Sequence, residues 1–354
     1  LTHMGEFEMM KKTTSALAIA ALLGTGAASA ATFQIDDNTS LTIGGDIQLA
    51  YYDVETYNST TDEVSGVTDF TDNASSLVFA GEQTHANGIT TSFYLDFDGF
   101  GTLGSDPSLG DDRQNANFVN DEYHIGFAGD FGQVKIGNEG DVTGPVFDVV
   151  DVAEGKGLIL PSGGASTEVV QFIANDMNGI GFAAQTQING DKQETADGSS
   201  TSFGAIITAD LGGFTIGAGY DELANSTDEA TYGLMVATSI GGVDLSANYV
   251  VEDKKTVEVG GTEIVADAEF IGIAASYNYG AGNLYGAFNS VSADNQTVKS
   301  SGNAVQDPEE DLSQYLVGVN YSVTSNSYVY GEVSSQGLNS DENDTMVVGI
   351  VYSW

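Results

Sequence analysis

The chain has no cysteine, four prolines and nine basic residues against 51 acidic ones. Without cysteine there is no disulfide framework, no thiol nucleophile and no cysteine-ligated metal site. The shortage of base, with Arg113 the single arginine and a formal charge of −42, excludes nucleic-acid binding, which needs clustered Lys and Arg on the phosphates. No apolar run reaches the roughly 18 to 20 residues of a membrane-spanning helix. With 41 % hydrophobic and 10 % aromatic residues, the composition is still that of a folded chain rather than a disordered one.

The first thirty residues read as processing segments. Residues 1–9 look like a vector-encoded leader ahead of a natural start at Met10. Lys11-Lys12 form a basic n-region, Ala16 to Leu23 an apolar h-region, and Ala28-Ser29-Ala30 an A-x-A cleavage site. Residues 10–30 are therefore expected to be a signal peptide and 31–354 the exported protein. Its charge is unchanged, because the leader carries two lysines and two glutamates.

Beyond residue 31 the recurring pattern is strict alternation over about ten residues. Leu41, Ile43, Ile47, Leu49 and Tyr51 oppose Thr42, Gly44, Asp46, Gln48 and Ala50. Phe93, Leu95 and Phe97 oppose Tyr94, Asp96 and Asp98, and Tyr123, Ile125 and Phe127 oppose Glu122, His124 and Gly126. Tyr315 to Val323 and Met346 to Trp354 repeat the theme. Short turns fall at 86–88, 129–132, 178–179, 211–213, 241–242, 280–282 and 325–326. Longer acidic stretches lie near 55–73, 99–119, 139–166, 190–200, 223–229, 252–266, 292–312 and 337–343. Seven short and eight long connections imply sixteen strands, at about twenty residues per strand and connection. All four prolines (Pro107, Pro145, Pro161, Pro308) fall in the long stretches, as a closed hydrogen-bonded sheet requires. The expected fold is all-β, a sixteen-stranded antiparallel transmembrane β-barrel, which leaves no backbone group unpaired in hydrocarbon. Tyr51, Tyr220, Tyr277, Tyr279, Tyr321 and Trp354 would form its interfacial aromatic girdles.

Three short motifs then resemble the Gram-negative general porins, of the kind found in marine gammaproteobacteria. They are the opening strand Leu41-Thr42-Ile43-Gly44-Gly45, the segment Phe131-Gly132-Gln133-Val134-Lys135-Ile136-Gly137, and a final strand ending on an aromatic residue. The resemblance implies homotrimers with one water-filled pore per subunit, an outer-membrane location and surrounding lipopolysaccharide. It also implies that the barrel-assembly machinery reads the end containing Tyr352 and Trp354. Family members mostly end in phenylalanine, so Trp354 is a departure.

The third long stretch, 139–166, carries Val146, Phe147, Val149, Val150, Leu158, Ile159 and Leu160, which an exposed loop has little use for. The resemblance implies that this third extracellular loop folds inward and narrows the pore, with Glu139, Asp141, Asp148, Asp151, Glu154 and Lys156 as its charged residues. By strand parity the inner wall presents Asp46, Gln48, Glu82, Asp96, Asp98, Glu122, His124, Lys135, Asp210, Asp244 and Glu332. No arginine falls on an expected strand, whereas the family usually sets arginines opposite the loop acids. Rings of carboxylates favour cations in a narrow pore, so a cation-preferring diffusion channel for small hydrophilic solutes is expected.

Two other readings carry different expectations. A solute-specific sugar porin would need an aromatic track, for which Tyr52, Tyr94, Phe270, Tyr285, Tyr328 and Tyr330 have inner-wall parity. A surface adhesin-type barrel would conduct little. Acidic clusters such as Asp62-Glu63, Asp111-Asp112, Asp307 to Asp311 and Asp341 to Asp344 could hold Ca²⁺ or Mg²⁺ weakly, but none has the spacing of a dedicated calcium loop. No resident cofactor or metal site is expected. Enzyme chemistry is not expected either, since only His85, beside a turn, and His124, on the inner wall, follow the leader.

Overall fold

The computed structural model describes residues 30–58, 63–98, 119–155, 158, 160–161, 168–187, 202–222, 230–259, 262–294, 312–338 and 341–354. The expected signal peptide as far as Ser29, together with Lys156 and the acidic stretches at 99–118, 188–201, 223–229 and 295–311, lies outside them.

The strands in chain order are β1 (Ala31–Asp36), β2 (Thr39–Asn58), β3 (Glu63–Asp72), β4 (Ser76–Thr84), β5 (Thr90–Asp98), β6 (Val119–Gly129), β7 (Gly132–Asn138), β8 (Val169–Ile173) and β9 (Ile180–Gln187). They continue as β10 (Phe203–Asp210), β11 (Phe214–Glu222), β12 (Ala230–Ile240), β13 (Val243–Val259), β14 (Thr262–Asn278), β15 (Asn283–Asp294), β16 (Leu312–Thr324), β17 (Ser327–Leu338) and β18 (Asp341–Ser353). One helical turn, α1 (Gly144–Phe147), lies between β7 and β8. Every strand pairs antiparallel with its neighbours, and β18 returns to β2 from Thr345↔Val54 to Ser353↔Asp46, so the sheet is closed. β3 and β4 are two pieces of one stave, pairing with the upper and lower halves of β2. β1 pairs only with the foot of β2, continuing the edge that β18 vacates, where Trp354 N donates to Gly45 O at 3.1 Å. Counting β3 with β4 and β1 as a foot gives sixteen staves.

The alternation places the sheet's two faces. Tyr315 and Val317 are exposed while Leu316 between them is buried; Tyr249 and Val250, Ile207 and Ile206, and Met346 and Val347 divide in the same way. The exposed face is the apolar one, as expected of a wall that meets lipid. The seven short turns read from the sequence all fall between paired strands, and an eighth, at Asp37-Asn38 between β1 and β2, is not among them. Between β12 and β13, Gly241 (φ +62°) and Gly242 (φ +85°) make a two-residue hairpin in the left-handed region that glycine alone enters freely.

Three of the acidic stretches differ from expectation. The stretches near 55–73, 252–266 and 337–343 are largely strand: β2 and β3, β13 and β14, and β17 and β18 stay paired almost to their tips, as at Val259↔Thr262 and Leu338↔Asp341. In Val257-Glu258-Val259 and Thr262-Glu263-Ile264-Val265, β-branched residues alternate with acids, and this pattern outweighs the acidic composition.

Candidate functional site

The chain leaves β7 at Glu139 and reaches β8 at Val169. The described part of the intervening segment lies against the wall face opposite the exposed apolar one. Its first attachment is apolar. Pro145 opens α1, and the turn is closed by Val146 N and Phe147 N donating to Thr143 O at 2.9 and 3.1 Å. This presents Val142, Val146 and Phe147, at most 1 % exposed, to Ala183, Ile206, Met235, Val250 and Phe270. The Phe147 ring occupies a recess made by missing side chains: a methyl on Gly219 would stand 2.9 Å from it, and one on Gly233 3.2 Å. Asn248 Nδ2 donates to Phe147 O. Val150 and Leu158 continue the contact onto Ala274, Tyr285, Ala287 and Leu316. Each such buried side chain contributes about 1.5–3 kcal/mol.

The root of the segment is ionic. Lys135 Nζ donates to Glu139 Oε2 at 2.7 Å, and His124 Nδ1 meets Glu139 Oε1, all three side chains being buried. Burial alone would raise the Glu139 carboxyl; the His124 contact and the Lys135 charge outweigh it and hold the group below its ordinary range. The Tyr94 ring stacks on His124 at 5.5 Å, and its hydroxyl donates to Asp96 Oδ2 at 3.1 Å. Asp141 accepts from Thr143 N at 2.9 Å and from Gln185 Nε2 at 2.7 Å, while Gln171 Nε2 donates to Gly140 O at 2.5 Å.

The far end is polar. Glu332 Oε1 accepts from Glu154 N at 2.5 Å and from the Tyr285 hydroxyl at 2.9 Å, and Glu332 Oε2 accepts from Gly155 N at 2.9 Å. The Glu154 carboxylate accepts from the Tyr328 hydroxyl at 2.7 Å and from Asn320 Nδ2 at 2.9 Å. Tyr52 donates to Gly155 O at 3.1 Å, and Asn73, in the break between β3 and β4, donates to Glu154 O at 3.0 Å. A methyl on Gly155 would stand 2.6 Å from Val347 Cγ1 and 3.1 Å from Glu332 Oε2.

The residues named from sequence therefore separate. Glu139, Asp141 and Glu154 are engaged by the wall. Asp148 and Asp151 lie between the attachments, Asp151 exposed and Asp148 half-buried with Oδ1 unpartnered among the described residues. Burial, then the charges of Asp151 and Asp141, push the Asp148 carboxyl up to about 7. Asp46 is buried and accepts from Gln48 Nε2 at 3.2 Å and Ser76 N at 3.1 Å. Gln48, Asp96, Asp98 and Glu122 are half-buried, while Glu82 and Asp244 are exposed near the turns and Asp210 accepts from Gly212 N at 2.8 Å. Tyr352 and Trp354 stack at 6.3 Å at the end of β18. Of the six aromatics with inner-wall parity, Phe270, Tyr285 and Tyr330 are at most 5 % exposed, which leaves them no free face.

Sequence reading missed the roles of Asn73, Asn320 and the tyrosines as partners of the segment, and the polar row Gln171, Gln185, Asp221, Thr231 and Glu252. These five are buried and lie at one level across β8 to β13, with Gly204 between Gln185 and Asp221. Parity carried through β8–β13 would have shown the row.

A model of the Gram-negative porin family matches residues 13–352. A monosaccharide porin of a Halomonas species and the major outer membrane protein of Halomonas elongata are each 27 % identical to the chain, covering 97 % of it and all of themselves. Among solved structures, an anion-selective porin from Comamonas acidovorans superposes with a TM-score of 0.69 at 17 % identity, covering 89 % of this chain and 100 % of its own. The trimer form of OmpT from Vibrio cholerae gives 0.63 at 13 % identity, over 90 % of this chain and 100 % of its own.

Proposed function

The chain belongs to the Gram-negative porin family, and from that premise we propose that this outer-membrane channel passes small hydrophilic solutes by diffusion and prefers cations. The observation that carries the preference is the state of Lys135. Glu139 takes both basic side chains at the root of the segment, Lys135 in an ion pair and His124 through Nδ1, so Lys135, a basic residue of the inner wall, is already matched. Asp148 and Asp151 form no ion pair among the described residues. Fixed carboxylates without a facing cation raise the local cation concentration in a narrow aqueous passage.

The segment 139–161 is the element proposed to narrow the passage by lying inside the barrel. What supports this is the reach of its contacts, which run from His124 on β6 through β8–β10 and β12–β17 to Tyr52 on β2. A segment this short can touch nearly the whole circuit only from within. The trimer among the similar structures supports a homotrimer, and the acidic outer stretches are proposed to hold Ca²⁺ or Mg²⁺ loosely against lipopolysaccharide phosphates.

Reversal potentials of the refolded protein in a KCl gradient test the main reading: a cation-preferring value is expected, and anion preference would sink it. A narrower specificity for monosaccharides is favoured by the name of one Halomonas relative. It has little support from aromatic stacking, since Phe270, Tyr285 and Tyr330 lie covered. Liposome swelling that saturates with monosaccharide concentration would favour it over a general pore.

A further inference from the structure

We infer that Glu332 is a positioning residue, whose carboxylate fixes the tip of the segment rather than attracting permeating cations; the inference rests on the reading that this segment narrows the channel. Parity alone makes Glu332 a wall carboxylate like any other. Its surroundings make it a receptor for backbone. Both oxygens are filled, Oε1 by Glu154 N and the Tyr285 hydroxyl and Oε2 by Gly155 N, and the residue is 3 % exposed. A carboxylate that accepts three donors out of water spends its charge on them. Two adjacent N–H groups of one turn, aimed at the two oxygens of one carboxylate, also fix orientation as well as distance.

The fit extends to the neighbours. Gly155 is admitted because no Cβ stands between it and Val347, Glu332 and Tyr330. Tyr328 on the same stave and Asn320 on the adjoining one take the Glu154 side chain, while Tyr52 and Asn73 take the carbonyls of Gly155 and Glu154. The donors and acceptors of the dipeptide are thus matched in one place, with Glu332 the only group among the described residues that receives its N–H pair.

Position and charge are separable by two variants. Glu332→Gln keeps the length but turns an amide N–H₂ towards one backbone donor. Glu332→Asp keeps the charge but withdraws it by one methylene. Because the chain has no cysteine, Ala153→Cys introduces a single thiol at a partly buried tip position. Its maleimide labelling rate reads tip release independently of conductance, and heat-modifiable migration on gels confirms the folded barrel.

Both Glu332 variants are expected to speed labelling by roughly tenfold or more, as loss of charge-assisted bonds implies, and to raise unit conductance while the reversal potential stays put. Unchanged labelling in both variants overturns the inference. A reversal potential that moves in Glu332→Gln but not in Glu332→Asp also overturns it, by showing that the charge acts on ions. If the unsubstituted protein forms no ion-conducting pore, the channel reading fails, while the labelling rates still judge the clasp by themselves.

Discussion

The two attachments of segment 139–161 differ in kind. The seat at Val142–Val150 is a set of apolar side chains received by the wall from β9 to β16, whereas the clasp at Glu154–Gly155 is a set of matched donors and acceptors on β2 and β15–β17. Burial of apolar surface is non-directional and scales with area, so the seat decides whether the segment stays. Hydrogen bonds to a buried carboxylate are directional and costly to leave unmade, so the clasp decides where the tip stands. The segment thus has a strong fastening far from its tip and a geometrically exacting one beside it.

The largest test of that contrast is Phe147→Ala, which empties the recess at Gly219 and Gly233. A loss of about 3–5 kcal/mol is expected from filling an aromatic site with a methyl, read as a lower denaturant midpoint of the refolded barrel together with a higher unit conductance. Gly233→Val attacks the same seat by overpacking, at about 1–3 kcal/mol, and a midpoint equal to the parent's would refute the recess. At the clasp, Glu154→Ala removes two side-chain bonds and leaves Tyr328 and Asn320 unmatched. It should cost about 1–3 kcal/mol and give noisier single-channel currents, with the seat intact.

The smallest effect belongs to Asp148, between the two. Its folded value of about 7 lies above the ordinary 3.8, so the folded chain binds the proton more tightly. Stability therefore falls as pH rises from the usual carboxylate range to about 7. Asp148→Asn should remove that dependence and stabilise the protein at alkaline pH, on the order of 1 kcal/mol once solvent screening is allowed for. Cation preference of the parent should strengthen through neutrality, and an invariant reversal potential across that range would exclude Asp148 from the passage.

Much of the architecture was legible in the sequence. Alternation at Leu41–Tyr51, Phe93–Phe97, Tyr123–Phe127 and Met346–Trp354 placed strands and faces, and the seven short turns marked one rim. The apolar cluster from Val146 to Leu160 marked the segment that needs a partner. The clasp was not legible, because its members meet over separations of 178 residues for Glu154 with Glu332 and 257 for Asn73 with Tyr330. Strand parity says which way Glu332 points but not what stands in front of it. The hairpin at 252–266 looks like a loop in the sequence because its acidic composition masks a two-residue period.

On the proposed path inside the barrel, a segment seated on β11 and β12 through Phe147 and clasped by β17 and β2 at its tip is also a tie-beam. Lateral pressure from the bilayer tends to flatten a hollow cylinder of thin wall, and staves held together only by their edges resist bending weakly. A brace that bears on opposing staves fixes the cross-section, so the opening keeps its shape under load. Phe147 and Glu332 are, in that sense, the two end-joints of a beam.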